Sequence, residues 1–241
     1  MIFAAGMGTR LKPLTDTMPK ALVPVAGRPM LEHVILKLKA AGFTEQVVNI
    51  HHFGEQIIDF LRANRNFGIT IHISDERDFL LDTGGGIKKA RRFFEHSDEP
   101  FLVHNVDILS DIDLQELYGF HLKHGGEGTL LASSRKTSRY LLFDAENRLC
   151  GWTNKNTGEL KPEGICYDSG IYREYAFSGI HTLSPSVFSL MDDPRWEGKF
   201  SIIDFYLSTC RQADYRGCLM NNLRLLDIGK PETLLQAESF M

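Results

Sequence analysis

Cysteine is scarce in this sequence, and so are long apolar stretches and any excess of positive charge. The four cysteines among 241 residues form no CxxC pair, which argues against a disulfide framework or a metal finger. No apolar run approaches the ~18 residues that span a bilayer, and no basic segment precedes an apolar stretch at the N-terminus. The net charge of -4 gives no general attraction to nucleic acid. We therefore expect a cytoplasmic protein that binds neither nucleic acid nor membrane.

The composition that is present is typical of a globular protein, with 43% apolar and 24% charged residues. One hydrophobic core still suffices at this length, and no repeat, low-complexity tract or linker divides the chain. We expect one domain over residues 1–241, as a monomer or a small homo-oligomer. Residues 1–5 have the pattern of a buried strand that starts at once, which leaves open whether residues are missing before Met1.

Short apolar runs alternate with amphipathic segments in the first half of the chain, as in βαβ units around a largely parallel sheet. From about residue 128 short β-like runs joined by polar turns predict antiparallel strands. The predicted fold class is α/β. The predicted strands of the first half are 1–5, 46–51, 69–73 and 100–104, and the predicted helices are 30–41, 53–66, 84–95 and 111–123. A helix at 200–212, a strand near 219–226 and a last helix from 231 follow.

A glycine turn follows the first predicted strand, at the edge where open α/β sheets bind ligands. Gly6 and Gly8 let the main chain approach phosphate oxygens, and Thr9 and Arg10 add a hydroxyl and a permanent charge. The dinucleotide fingerprint GxGxxG fails because Leu11 stands at its third glycine, and the P-loop pattern fails too. This mismatch argues against a Rossmann dehydrogenase. Taken alone, the two glycines could simply turn the chain.

The continuation, LKPLT at residues 11–15 and PKALVPVAGRP at residues 19–29, resembles the signature of the sugar-1-phosphate nucleotidyltransferases. The resemblance implies a Rossmann-like α/β/α sandwich with a mixed, mainly parallel central sheet and a small antiparallel sugar-binding lobe. It also implies an enzyme that converts an NTP and a sugar 1-phosphate into NDP-sugar and pyrophosphate.

In that family the arginine matching Arg10 holds the triphosphate, and the lysine matching Lys20 lies between the nucleotide α-phosphate and the sugar phosphate. Two cations suit a reaction in which an anionic oxygen attacks an anionic phosphorus. The resemblance thus implies catalytic roles for Arg10 and Lys20. It implies nucleotide contacts for Ala5, Gly6, Gly8, Thr9 and Arg10.

A second glycine cluster, LDTGGGI at residues 81–87, precedes a predicted helix. A helix cap by Asp82 or Thr83 is the simpler interpretation, but three consecutive glycines are costly and favour the close approach of another group. In the family the matching loop contacts the base, and this form resembles the muramate-type uridylyltransferase branch. We therefore expect Thr83, Gly84 and Gly85 to bind the nucleotide and UTP to be favoured, with GTP, CTP and dTTP left open.

Two aspartates are the candidate ligands of Mg²⁺, which prefers one or two carboxylates together with substrate phosphates. Asp107 follows the buried strand at 101–104, where the family carries a glycine-aspartate pair whose aspartate binds magnesium and acts in catalysis. Val106 replaces that glycine here. Asp227, in the segment LLDIGKPE, matches the family's second metal-binding aspartate.

The sugar side is implied by the segment YAFSGIH at residues 175–181, which resembles the family's pocket strand. The expected contacts of the sugar phosphate and sugar are Lys20, Asn105, Glu174 and Gly179. Lys161, Arg173 and Asp204 are further candidates without a clear match. The alternatives are a phosphocholine cytidylyltransferase-like or mannose-1-phosphate guanylyltransferase activity, or a non-catalytic ligand-binding homologue.

Overall fold

The computed structural model describes residues 1–240 and the side chains of all of them except Glu238. The strands are β1 (Ile2–Phe3), β2 (Pro24–Val25), β3 (Arg28–Pro29), β4 (Glu45–Ile50), β5 (Thr70–Asp75), β6 (Phe101–Asn105), β7 (Ile108–Ser110), β8 (Gly128–Ser133), β9 (Arg139–Phe143), β10 (Leu149–Asn154), β11 (Glu159–Lys161), β12 (Arg173–Leu183), β13 (Tyr215–Met220) and β14 (Leu225–Asp227). The helices are α1 (Met30–Ala40), α2 (Gly54–Ala63), α3 (Asp82–Ala90), α4 (Leu114–His124), α5 (Val187–Leu190), α6 (Ile202–Thr209) and α7 (Pro231–Phe240).

The chain divides into two compact units, each made of separate segments. Unit 1 comprises Met1–Leu81, Val103–Gln115 and the segment from Arg224, and unit 2 comprises Asp82–Leu102 and Glu116–Leu223. Because the chain passes between the units several times, no linker marks the division. One domain over residues 1–241 stays a prediction.

Unit 1 is built around a parallel sheet in which β1 lies between β6 and β4, and β5 pairs with the other side of β4. Helix α1 buries Leu31, Val34, Ile35 and Leu38, the apolar face that its spacing predicts. The chain then leaves the helix through Gly42, whose φ of 91° is open to glycine and closed to most other residues. The predicted helices and parallel strands of this half are confirmed to within a few residues.

The parallel strands of unit 1 end side by side, at the position where a site is expected. Phe3, the last residue of β1, pairs with Asn49 on β4 and with Asn105 on β6. Polar side chains therefore follow buried apolar ones at the carboxyl edge of this sheet, where open α/β sheets bind ligands. The first predicted strand, 1–5, is shorter than expected because Ala4 and Ala5 have already left the ladder.

Unit 2 contains a sheet in which β10 lies between β11 and β9, and the long β12 pairs with β9 and then with β8. These pairings are antiparallel, as predicted. β13 instead runs parallel to β8, so the prediction of antiparallel strands throughout this half is wrong at one pair. The predicted strand near 219–226 is two strands, β13 and β14. Phe143, Phe205, Tyr206 and Tyr215 are fully buried here.

No helix in the described part of the chain has the length and apolar character needed to cross a membrane.

Candidate active site

The glycine turn of unit 1 has a backbone that only glycine fits easily. Gly8 has a φ of 65°, and a Cβ at this position would come within 2.8 Å of the Thr15 side chain and 3.0 Å of the Lys20 Cβ. The Thr15 hydroxyl donates a hydrogen bond to the Gly8 carbonyl oxygen (2.8 Å), and so does the Leu11 amide (2.8 Å). The turn is thus fixed by the segment that follows it.

The residues at the top of this turn are open to solvent. Gly6, Thr9 and Arg10 are exposed, whereas Ala5 and Leu11 are buried. Within the described part of the chain, the guanidinium group of Arg10 makes no hydrogen bond or ion pair. A permanent charge is therefore presented next to the exposed turn.

Lys20 and Asp107 form an ion pair between two segments of unit 1. Lys20 lies in a 3-10 turn, Lys20–Leu22, and is only 8% exposed. Its ammonium group donates to Oδ2 of Asp107, which follows β6. A lysine this buried is rare unless it is paired, so the contact explains how this cation is held inside the unit.

The second aspartate reaches the same region through a short antiparallel pair. Asp227 at the end of β14 pairs with Ile108 of β7, and the Ile228 amide donates to the carbonyl oxygen of Asp107 (2.8 Å). A Cβ on Gly229 would lie 2.8 Å from Oδ1 of Asp227 and 2.7 Å from Nη2 of Arg10. Gly229 thus leaves room for a carboxylate and a guanidinium group that converge.

The end of β6 adds polar groups without charge. Asn105 is half-buried, and His104 before it is 1% exposed. Burial lowers the pKa of His104 to about 4, so its ring is neutral near pH 7. His104 is a packed strand residue of β6. Val106 is buried, and its amide donates to the Phe3 carbonyl oxygen (3.1 Å), so the missing family glycine leaves the strand end intact.

The glycine cluster of unit 2 lies inside α3 and packs against the residues before α6. The amides of Gly84 and Gly85 donate to the Phe200 carbonyl oxygen (2.9 and 3.3 Å). The hydroxyl oxygen of Thr83 accepts from the Ile202 amide (2.9 Å). Close packing of another part of unit 2 therefore accounts for Gly84, and the nucleotide contacts of Thr83, Gly84 and Gly85 stay predictions.

Substituting Gly84 with alanine is expected to lower the free energy of unfolding by about 1–3 kcal/mol, the usual cost of overpacking. The new Cβ would lie 2.3 Å from the Phe200 ring. Gly119 in α4 provides the matched control, because a Cβ there meets nothing within 4 Å. Gly119→Ala is expected to stabilise by up to about 1 kcal/mol. Thermal unfolding of both variants checks this, and equal effects would contradict the packing account.

The predicted sugar residues of unit 2 lie on β12. Glu174 forms an ion pair with Lys155, whose ammonium group also lies 3.4 Å from the Tyr167 hydroxyl and 4.6 Å from the centre of its ring. The hydrogen bond that Lys155 donates to Glu174 raises the pKa of Lys155, so this lysine stays charged at neutral pH. Gly179 has a φ of 72° within a register shift of β12 against β8, a β-bulge that glycine suits.

Lys155 is a candidate that sequence reasoning missed. The contact joins the turn after β10 to β12, 19 residues further along the chain, and no local spacing signals it. Of the lysine and arginine weighed instead, Arg173 donates to the carbonyl oxygens of Asp144 (2.6 Å) and Ala145 (3.0 Å). Lys161 pairs with Asp204 (3.1 Å). Arg173 thus holds the turn that contains Asp144 and Ala145, and Lys161 pairs with a carboxylate other than that of Glu174.

Lys161 and Asp204 line a cavity of about 350 Å³ in unit 2. Lys161 lies over the Trp152 ring, 5.5 Å from its centre. Asp204 pairs with the same lysine, so the aromatic face and the carboxylate already share a cation of the protein. The lining residues are Arg139, Trp152, Asn154, Glu159, Lys161, Ser201, Ile203, Asp204 and Leu207.

In unit 1 an exposed glycine turn, two cations and two aspartates meet at the carboxyl edge of a parallel sheet. Such an arrangement in an α/β protein suits the binding of phosphate groups. The family model described as nucleotidyl transferase matches residues 1–241. The chain belongs to this nucleotidyltransferase family and is a transferase.

Individual relatives narrow the comparison. An N-acetylmuramate alpha-1-phosphate uridylyltransferase of Caulobacter vibrioides is 31% identical over 248 residues, covering 99% of this chain and 95% of the relative. A mannose-1-phosphate guanyltransferase of Gibberella zeae is 40% identical over 142 residues, covering 58% of this chain. The match spans only 39% of that guanyltransferase.

A solved structure shares the fold over nearly the whole chain. It is a Bacillus anthracis protein assigned as a glucose-1-phosphate thymidylyltransferase, with a TM-score of 0.81, 20% identity and coverage of 99% of this chain and 93% of that one. At this identity the likeness concerns the fold alone. The predicted fold class, a Rossmann-like α/β fold with a mixed sheet, is confirmed.

Proposed function

We propose that this protein transfers a nucleoside monophosphate from an NTP to a sugar 1-phosphate, releasing pyrophosphate. The observation that carries the proposal is the ion pair of Lys20 and Asp107 beside the exposed glycine turn. The reaction brings several phosphate charges together, so positioned cations supply most of the catalysis. A non-catalytic homologue would have no need of a nearly buried lysine paired with an aspartate beside this turn.

In this mechanism the nucleoside triphosphate binds at the glycine turn. Ala5, Gly6, Gly8 and Thr9 supply close backbone and hydroxyl groups, and the guanidinium of Arg10 binds phosphate oxygens. Lys20 stabilises the negative charge on the α-phosphate oxygens when the sugar phosphate oxygen attacks the α-phosphorus. The bond to pyrophosphate then breaks, and pyrophosphate carries away the electron pair.

The donor set of unit 1 fits a magnesium ion. Asp107 lies in the turn between β6 and β7, and Asp227 ends β14; the Ile228 amide next to Asp227 donates to the Asp107 carbonyl oxygen, and Asp227 is exposed. The described residues contain no group of three or more His, Cys, Asp or Glu suited to a metal. Two carboxylates are nevertheless what Mg²⁺ uses when substrate phosphates complete its shell. When bound, it would neutralise phosphate charge, held by Asp107 and Asp227.

For the acceptor, unit 2 offers Lys155 together with Glu174. A charged lysine suits the phosphate of the acceptor, and a carboxylate suits sugar hydroxyls. Gly179 shapes the same strand, and Lys20 and Asn105 are the predicted acceptor contacts in unit 1. We therefore add Lys155 to the predicted acceptor contacts. When the acceptor binds, Lys155 would exchange its ion pair with Glu174 for one with the substrate phosphate.

Replacing Lys155 with alanine is expected to raise the KM for the sugar 1-phosphate by about tenfold, the worth of one charge-assisted hydrogen bond. The KM for the NTP should change little. Steady-state kinetics with each substrate varied in turn measures the split. Lys123→Ala, an exposed lysine of α4, is the control. Equal KM values for the acceptor in both variants would remove Lys155 from the site.

We infer UTP as the preferred nucleotide, because a relative that is matched over 95% of its length is a uridylyltransferase. Guanylyl transfer is the second candidate, since guanyltransferase relatives reach higher identity over a shorter stretch. Phosphocholine is disfavoured at the cavity beside Trp152, because Lys161 already supplies the cation there. The monomeric or small homo-oligomeric state remains a prediction.

A further inference from the structure

A buried asparagine of unit 1 holds the start of the glycine turn. Asn49, 1% exposed, lies near the end of β4. Its Oδ1 accepts hydrogen bonds from the amides of Ala4 (2.7 Å) and Ala5 (3.2 Å). These are the two residues that follow β1 and no longer belong to its ladder. One side chain thus replaces the main-chain partners that the ladder no longer supplies.

A buried glutamate fixes the orientation of that asparagine. Nδ2 of Asn49 donates to Oε1 of Glu76 (2.8 Å), and Glu76 is 0% exposed. Oε2 of Glu76 accepts from the amide of Leu81 (3.1 Å). The Glu76 backbone is held too, because its amide donates to the Ile50 carbonyl oxygen (2.8 Å) and its own carbonyl oxygen accepts from the His51 ring (2.6 Å).

The two side chains therefore connect two loops. Asn49 holds Ala4 and Ala5 directly before Gly6, and Glu76 holds Leu81 directly before the segment DTGGG. Both carboxylate oxygens of Glu76 and both the oxygen and the nitrogen of the Asn49 amide make hydrogen bonds. Neither side chain can therefore rotate without losing a buried hydrogen bond. Neither residue belongs to the signature motifs, and neither is exposed to a ligand.

We propose that Asn49 and Glu76 are positioning residues for nucleotide binding. They act through the amides of Ala4, Ala5 and Leu81, keeping the phosphate-binding turn in its productive shape before the NTP arrives. Pre-organised backbone groups lose little conformational entropy when a ligand binds. Loosening them therefore weakens NTP affinity more than it slows the chemical step. This inference rests on the proposed function for its kinetic readout.

Exchanging the amide and the acid between positions 49 and 76 tests the network, because the exchange reverses the direction of the hydrogen bond between the two side chains. In Glu76→Gln one oxygen must serve two donors, and in Asn49→Asp two carboxylates face each other. Combining Asn49→Asp with Glu76→Gln reverses the polarity. The carboxylate at position 49 then accepts from Ala4, Ala5 and the new amide at position 76, whose oxygen accepts from Leu81.

We expect each single variant to raise the KM for NTP by about tenfold, because each leaves one buried polar group without a proper partner. The double variant should return to within about threefold of the wild type, since every buried donor again has an acceptor. Steady-state kinetics with the NTP varied at saturating sugar 1-phosphate measures these values.

Gln46, also on β4, provides the control for loss of a buried amide. It is 2% exposed and donates to the carbonyl oxygens of Phe43 (3.0 Å) and Ile35 (3.3 Å), away from the turn. Gln46→Ala is expected to lower Tm and leave the KM for NTP unchanged. Hydrogen exchange of the Ala4 and Ala5 amides supplies a readout independent of activity, and it should accelerate in Asn49→Asp and recover in the double variant.

A double variant no better than the worse single variant, in both exchange and KM, would overturn the proposal. So would a Gln46→Ala effect on KM as large as that of the single variants. If the wild type shows no transfer with any NTP, the proposed function fails. The exchange rates of Ala4 and Ala5 would then still decide whether the network holds the turn.

Discussion

Lys20→Ala is expected to lower kcat by about a hundred- to a thousandfold, the range found when one preorganised donor to a developing charge is removed. The ammonium group is almost buried and has Asp107 as its partner. Water cannot easily take its place, so the phosphorus would lose its nearest fixed cation during attack. Pyrophosphate release under saturating substrates measures the effect.

Two companions keep the Lys20 experiment decisive. Lys12→Ala removes an exposed lysine of the same segment, which pairs with exposed Asp16, and should leave kcat unchanged because such surface pairs contribute little. Lys20→Arg keeps the charge and should retain part of the rate. A Lys20→Ala protein that is folded and releases pyrophosphate at the wild-type rate would rule out the mechanism.

Asp107→Asn is expected to lower kcat by at least about a hundredfold and to raise the magnesium concentration needed for half-maximal rate. An amide oxygen is a weaker ligand for a hard cation than a carboxylate. The change also leaves Lys20 without its counter-charge in a nearly buried position. Rates measured over a magnesium titration separate the two effects, because only weaker metal binding is overcome by more magnesium.

Asp111→Asn is the matched control for Asp107→Asn. Asp111 lies four residues further along and accepts from the Arg224 amide (3.0 Å), a bond that an asparagine oxygen can keep. Its magnesium titration should overlay that of the wild type. If Asp107→Asn behaved in the same way, Asp107 would not be a metal ligand.

Most helices and strands of the fold can be predicted from the sequence, because the spacing of apolar residues indicates the type of each element. The four apolar positions of α1 and the short apolar runs of β4 and β6 follow patterns set by local geometry. Strand direction has no such signature. Alternation along β13 is the same whether its partner runs parallel or antiparallel, so the pairing with β8 could not be read from it.

The candidate site was predicted where residues close in sequence share one motif. Arg10, Lys20, Asp107 and Asp227 all fall within such motifs, and the structure brings them together in unit 1. Lys155 and Asn49 act through partners 19 and 27 residues away, and no local pattern indicates these contacts. The glycines at 84 and 85 illustrate the opposite case, since a motif that suggests a ligand also suits close packing against Phe200.

Pyrophosphate release by the wild-type protein, measured across four NTPs with a panel of sugar 1-phosphates and phosphocholine, decides whether the protein is a sugar-1-phosphate nucleotidyltransferase. We expect release that requires an NTP, a sugar 1-phosphate and Mg²⁺ together, fastest with UTP, with an NDP-sugar formed in equal amount. Preference for GTP would change the assigned nucleotide alone. Absence of release with every pair of substrates would rule out the proposed activity.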